Sequence, residues 1–151
     1  GYATDPDNTC VCTPSQRIKY AKKISGPLLD RIDIHIEVPR VKIEKLQQQS
    51  AAEPSAAIRQ RVAEAHKRQR QRFREYDIRY NAEMRPAEVK KFCKMDQAAL
   101  EVLKAATHQL KLSARAYHRV LKIARTIADL RAESDIQSND IAEALQYRPR
   151  L

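Results

Sequence analysis

The sequence predicts a mainly α protein: a helical bundle preceded by a loop and one orphan β-strand. Three observations carry that prediction. From Pro54 onward, apolar residues recur at helical steps. Between Ile32 and Val38, apolar and polar residues alternate strictly, the period of a half-buried strand. No second clear strand occurs anywhere in the chain, so the helices must supply the core.

Each element can be justified in order. Residues 1–23 hold Pro6, Pro14, Asp5, Asp7, Asn8, Thr9 and the pair Cys10 and Cys12 without either period, and are expected to be loop or disorder. Ile24-Ser25-Gly26-Pro27 is a turn signal. In the strand expected over Arg31–Val38, the Ile32, Ile34, Ile36 and Val38 side chains share one face, opposite Asp33, His35 and Glu37. A lone strand has no partner for its ladder groups. The chain therefore reads as a truncated piece whose sheet lies elsewhere, with residues 1–50 expected to be largely disordered.

The helices follow from caps and spacing. Ser55 is a plausible N-cap for a helix running to Tyr76, with Ile58, Val62, Ala65, Phe73 and Tyr76 on its apolar stripe. A break falls near Tyr80-Asn81, and Pro86 starts a short helix to about Cys93. Asp96 caps a helix carrying Leu100, Leu103 and Leu110. Ser113 caps the next, lined by Tyr117, Val120, Ala124 and Ile127, and Ser138 caps the last, with Ile141 and Leu145 a turn apart. Cys93 and Phe92 are expected in the core.

Composition narrows the function. The chain has 151 residues, 29 Lys and Arg against 19 Asp and Glu, and a formal charge of +10, which favours an anionic partner. Its two glycines, Gly1 and Gly26, cannot write a phosphate-cradling P-loop or a dinucleotide fingerprint. No apolar run approaches the ~20 residues of a membrane span, no signal-peptide core follows the amino terminus, and three cysteines make no even disulfide framework. A cytoplasmic protein without membrane partners is expected. No Ser/His/Asp arrangement or carboxylate pair stands out, and His66, His108 and His118 form no metal pair.

Two runs could carry chemistry. In Lys23-Ile24-Ser25-Gly26-Pro27-Leu28-Leu29-Asp30-Arg31-Ile32-Asp33, an arginine stands where a strand begins. Its planar fork suits phosphate oxygens, although pairing with Asp30 or Asp33 would equally explain it. In the run from Leu112 to Leu130, Arg115 lies in the first helical turn and Arg119 one turn later on the same face. A cation there opposes the helix dipole, which makes sense if an anion docks beside the exposed backbone N–H groups. A solvated basic face is the alternative.

Together the runs resemble the C-terminal part of the magnesium-chelatase-like AAA+ ATPases, and within them the competence-related ComM/YifB group. The matching stretches are KISGPLLDRIDIHIEVPRV, IRQRVAEAHKRQRQRF, YNAEM, and LKLSARAYHRVLKIARTIADL followed by IAEALQYR. The resemblance implies that residues 1–50 end an α/β nucleotide-binding core and that residues 51–151 form its helical lid. It implies that Arg31 is an arginine finger acting on the ATP site of a neighbouring subunit. Arg115 becomes a sensor-2 arginine touching its own subunit's phosphates, with Arg119 as a helper. The parent would be a hexameric ring using ATP and Mg²⁺ for work on DNA, such as branch migration or unwinding. This piece lacks the P-loop and the Asp-Glu motif and is expected to be inactive alone, with no cofactor of its own. A subunit of a true magnesium chelatase and a non-enzymatic basic helical module that binds nucleic acid are the alternatives.

Cys10-Val11-Cys12 could hold half of a tetrahedral zinc site. In the chain itself two unpaired loop thiols explain them as well; the resemblance implies a further cysteine pair upstream in the parent. Between Arg59 and Arg79, eight basic residues face Glu64, Glu75 and Asp77. Arg68, Arg70 and Arg72 at the centre of this run are candidates for phosphate contacts, against the alternative of a solvated face. Because Phe73 and Tyr76 belong to the core stripe, no base-stacking platform is expected.

Overall fold

The computed structural model describes residues 2, 3, 5, 7–29, 31–38 and 53–148. The chain divides into two compact units, residues 1–49 with 149–151, and residues 50–148. The boundary expected at residues 50 and 51 lies outside the described residues.

The first unit contains α1 (Pro14–Ala21) and the single turn α2 (Gly26–Leu29). Helix α1 falls within the stretch expected to be loop. It is set by a local signal that needs no apolar period, a capping box with proline at its first position. The Thr13 N–H donates to Gln16 Oε1 at 2.9 Å, and the Gln16 N–H donates back to Thr13 Oγ1 at 3.4 Å. Ser25 starts α2, its hydroxyl accepting from the Leu28 N–H at 3.3 Å. The strand expected over Arg31–Val38 is not formed. No ladder appears among the described residues, and Ile32, Ile34, Ile36 and Val38 are all exposed. Alternation defines a face to bury but supplies no neighbour for the backbone groups.

The second unit is a helical bundle of α3 (Ser55–Arg72), a 3₁₀ turn (Asn81–Glu83), α4 (Pro86–Phe92), α5 (Gln97–Gln109), α6 (Ala114–Leu130) and α7 (Ser138–Gln146). Helix α6 is its axis and packs against α3, α4, α7 and the 3₁₀ turn. Val120, Leu121, Ala124, Ile127 and Ala128 on its apolar stripe are buried against Val89 of α4, Ala99 and Leu103 of α5, and Ile141 and Ala144 of α7. Alanines at 99, 124, 128 and 144 are fully buried, which lets the backbones approach closely. Phe73, Met84, Cys93 and Ile136 close the core from the connecting segments, with Phe73 and Phe92 edge to face at 5.4 Å.

Asp96 and Ser113 cap their helices as expected, accepting from the Ala99 and Ala116 N–H groups at 2.7 and 3.2 Å. Ser55 and Ser138 instead occupy the first helical positions, behind the caps Pro54 and Gln137. Helix α3 ends at Arg72 rather than Tyr76. It buries only Ala65 and Gln69, leaving Ile58 and Val62 exposed, because only its second half packs on the bundle. Leu110 is exposed too. Lys111 and Ala132 follow the ends of α5 and α6 at φ of 47° and 66°, the left-handed geometry that closes a helix and usually falls to glycine. A parallel bridge between Met95 and Ile136 ties the segment before α5 to the one before α7. No described helix is long and apolar enough to cross a membrane.

Candidate nucleotide and nucleic-acid interface

Arg115 occupies the second position of α6. Ser113 satisfies one N–H of that first turn, and no acidic residue stands in it. The Arg115 side chain is exposed and makes no ion pair among the described residues. The remaining backbone donors and the guanidinium thus present a positive end to solvent, a seat for an anion. Arg119, one turn later, is half-buried. Lys122 on the same helix is spent inside the unit, donating to the Ala82 carbonyl at 2.8 Å.

Arg31 lies in the other unit, just after α2. Its backbone N–H donates to the Leu28 carbonyl at 2.9 Å, and its Nη1 donates to the Pro27 carbonyl at 2.9 Å. The exposed guanidinium is folded back on its own turn, with further donors available to a phosphate. Asp30, one of its two expected partners, lies outside the described residues.

Cys10 and Cys12 are both half-exposed. The Cys12 N–H pulls the Cys10 thiol down to about 7, helped by the Cys12 thiol, the Tyr2 N–H and the charge of Arg17. Two thiols are half of a tetrahedral zinc set. Among the described residues no group of three or more His, Cys, Asp and Glu side chains could hold a metal ion. The donors present do not fit a complete zinc site.

The three central arginines of α3 part company. Arg68 donates to the Asp129 carbonyl at 3.2 Å. Arg72 binds the Asp129 carboxylate through both terminal nitrogens, with Nη1 at 2.7 Å from Oδ2, and donates to Asn81 Oδ1 at 2.9 Å. Arg70 is exposed. Only Arg70 of the three leaves its guanidinium without a partner among the described residues.

Sequence reasoning missed the network that claims the other two. Asp129 is fully buried and also accepts from Arg125 Nε at 3.2 Å and Asn81 Nδ2 at 2.9 Å. Arg125, 1 % exposed, reaches on to the carbonyls of Ser134 and Glu133 at 2.6 and 2.7 Å. The Asn81 amide also donates to Thr126 Oγ1 at 3.1 Å, and its backbone N–H donates to Gln69 Oε1 at 3.0 Å. Among the described residues no buried side-chain polar atom lacks a partner. A signal was present: Arg125 and Asp129 stand four apart on an otherwise apolar face of α6.

Comparison with known proteins follows this division of the chain. Residues 52–148 match the family model "Magnesium chelatase, subunit ChlI C-terminal", and residues 1–46 match "Magnesium chelatase, subunit ChlI". The chain is 39 % identical over 137 residues to the competence protein ComM of Haemophilus influenzae, covering 90 % of this chain and 26 % of that protein. It is 38 % identical over 138 residues to the uncharacterized protein YifB of Salmonella typhimurium, covering 91 % of this chain and 26 % of the relative. An uncharacterized protein of Mycobacterium tuberculosis (strain H37Rv) is 34 % identical over 146 residues, covering 95 % and 28 %. The chain spans about a quarter of the length of these relatives.

Proposed function

This chain belongs to the family of the magnesium chelatase ChlI subunit's C-terminal region, and from that premise we propose that it is the lid part of a ring-forming AAA+ ATPase. The observation that carries the reading is Arg115, exposed and without an ion pair among the described residues, in the first turn of the helix that runs through the bundle's core. A cation kept where the helix dipole disfavours it is stabilised when a phosphate binds beside it. In this reading the longer protein holds ATP and Mg²⁺, and Arg115, with Arg119 one turn behind, couples the lid to the bound phosphates. Arg31 acts as an arginine finger, stabilising charge on the phosphoryl group in the site of the neighbouring identical subunit. The ring is hexameric and cytoplasmic.

The work done is on DNA, by branch migration or unwinding. The name of the competence relative and the basic run of α3 support this part of the reading. Arg70 remains a phosphate-contact residue in it, whereas Arg68 and Arg72 are held by Asp129.

The test uses the full-length protein that contains this chain. Arg31→Ala should reduce ATP turnover by about 10³-fold or more while leaving nucleotide binding intact. Arg115→Ala should impair ATP binding or turnover while the protein stays folded. Normal turnover in either variant would reject the role assigned to that residue.

A further inference from the structure

The second unit contains a cleft that neither Arg31 nor Arg115 uses. It has a volume of about 470 Å³ and opens between the last turns of α3 and the segment leading to the 3₁₀ turn. That lies within the ~300–1,000 Å³ of small-ligand sites. Phe73, Tyr76 and Ile78 give it an apolar lining. His66 from α3 and Tyr80 from the turn stand side by side in it, ring centroids 5.4 Å apart and planes tilted by 59°. Tyr80 is 45 % exposed, so its ring is available to a ligand. Arg70 and Arg79 complete the lining, which includes no carboxylate.

We propose that this cleft binds an unpaired nucleotide of single-stranded nucleic acid, its base against Tyr80 and His66 and its phosphate on Arg70 and Arg79. The inference rests on the DNA part of the reading above and deepens it by naming a site and a strand type. Three features select this ligand. Two guanidinium groups beside exposed aromatic rings match the paired phosphate and planar base of a nucleotide. The cleft has room for a base that has left its stack, and the bases of a duplex stay stacked inside it. The site is also pre-formed, which lowers the ordering cost of binding.

That pre-formation comes from residues on either side. Asn81, next to Tyr80, is locked into the Asp129 network, and Gln69, next to Arg70, accepts the Asn81 N–H. The Glu83 carboxylate accepts from the N–H groups of Arg79 and Tyr80 at 2.6 and 3.2 Å, fixing the backbone under both side chains. These two bonds hold Glu83 below its ordinary carboxylate range, and the nearby Arg79 charge adds to the effect. Reading α3 alone could not reveal a stacking surface, because Tyr80 arrives from the following turn.

The test is fluorescence anisotropy of the 151-residue chain with a fluorescein-labelled oligothymidylate of about 20 nucleotides. A duplex of equal length and a polyglutamate peptide serve as competitors. Tyr80→Ala should weaken binding about tenfold and Tyr80→Phe less than about twofold, since the ring and not the hydroxyl carries the stack. Arg70→Ala should weaken binding severalfold and lower the salt slope by about 1. Lys104→Ala, which removes an exposed charge from α5, should change little. Circular dichroism confirms that each variant is folded. Unchanged binding by both Tyr80→Ala and Arg70→Ala would overturn the cleft while leaving the DNA reading standing. Equal competition by the duplex, or displacement by polyglutamate as effective as by unlabelled oligothymidylate, would also overturn it. No binding by the wild-type chain would reject the cleft and remove the basic run as support for work on DNA.

Discussion

The two ends of α6 treat arginine in opposite ways. Near its C-terminus, Arg125 is buried and shares the Asp129 carboxylate with Arg72, its other nitrogens taken by the carbonyls of Glu133 and Ser134. About 15 Å along the axis, Arg115 stands exposed with no ion pair among the described residues. The contrast separates arginines that hold the fold together from those free to meet something outside it. A buried guanidinium is tolerable only when its donors are satisfied. An exposed one in a first helical turn gains nothing from the helix dipole and keeps its donors open to solvent.

Thiols offer the widest test of that division. Burial pushes the Cys93 thiol up to about 12, with the charges of Arg125 and Arg72 opposing part of the rise, while Cys10 sits near 7. The thiolate is the nucleophile, and its smaller population at Cys93 outweighs the greater intrinsic reactivity of a high-pKa thiolate, so at pH 8 iodoacetamide should modify Cys10 faster than Cys93 by about a hundredfold or more. The Cys10 rate should rise with pH through about 7 and then level off. Peptide mapping at timed intervals reads both sites, and comparable rates would erase the distinction.

Asp129→Ala should produce the largest change in stability. It strands Arg125 in the core and releases Arg72, at a cost of about 3–5 kcal/mol measured by urea unfolding. A loss below about 1 kcal/mol would mean that the network is decorative. Asn81→Ala should cost less, about 1–3 kcal/mol, because Asp129 keeps its two arginines and loses only the amide donor, while Arg72 and Thr126 each lose one partner. Arg115→Ala should shift stability by no more than a few tenths of a kcal/mol, in the stabilising direction, since it removes a cation from the positive end of α6. A clear destabilisation would show that Arg115 supports the fold and would weaken its assignment to a phosphate.

Much of the bundle was legible in the sequence because its signals are local. Asp96 and Ser113 announce their helices through one side-chain oxygen each, and Val120, Ala124 and Ile127 follow the helical period into the core. Helix α1 has an equally local capping box but no apolar period, so hydrophobic spacing alone does not reveal it. The strand over Arg31–Val38 was read from alternation alone, and alternation says nothing about pairing. Ile58 and Val62 fall on the helical stripe yet are exposed, because spacing does not tell how much of a helix its neighbours cover. The site was legible in part. Arg115 and Arg70 were found as exposed cations, but nothing in the run from Arg59 to Arg79 distinguishes Arg70 from Arg68 and Arg72. That depends on Asp129, far along the chain, and only the fold brings it near.

The bridge between Met95 and Ile136 belongs to no sheet, yet it is made from two opposed amides. The Asp96 N–H donates to the Ile136 carbonyl at 3.4 Å, and the Ile136 N–H donates to the Lys94 carbonyl at 2.9 Å. Ile136 is fully buried, so its amide cannot meet water unless α5 and α7 separate at their roots. In heavy water that amide should keep its proton about as long as the deepest helical positions. A segment that looks like mere linker thereby reports the opening of the bundle at the roots of α5 and α7.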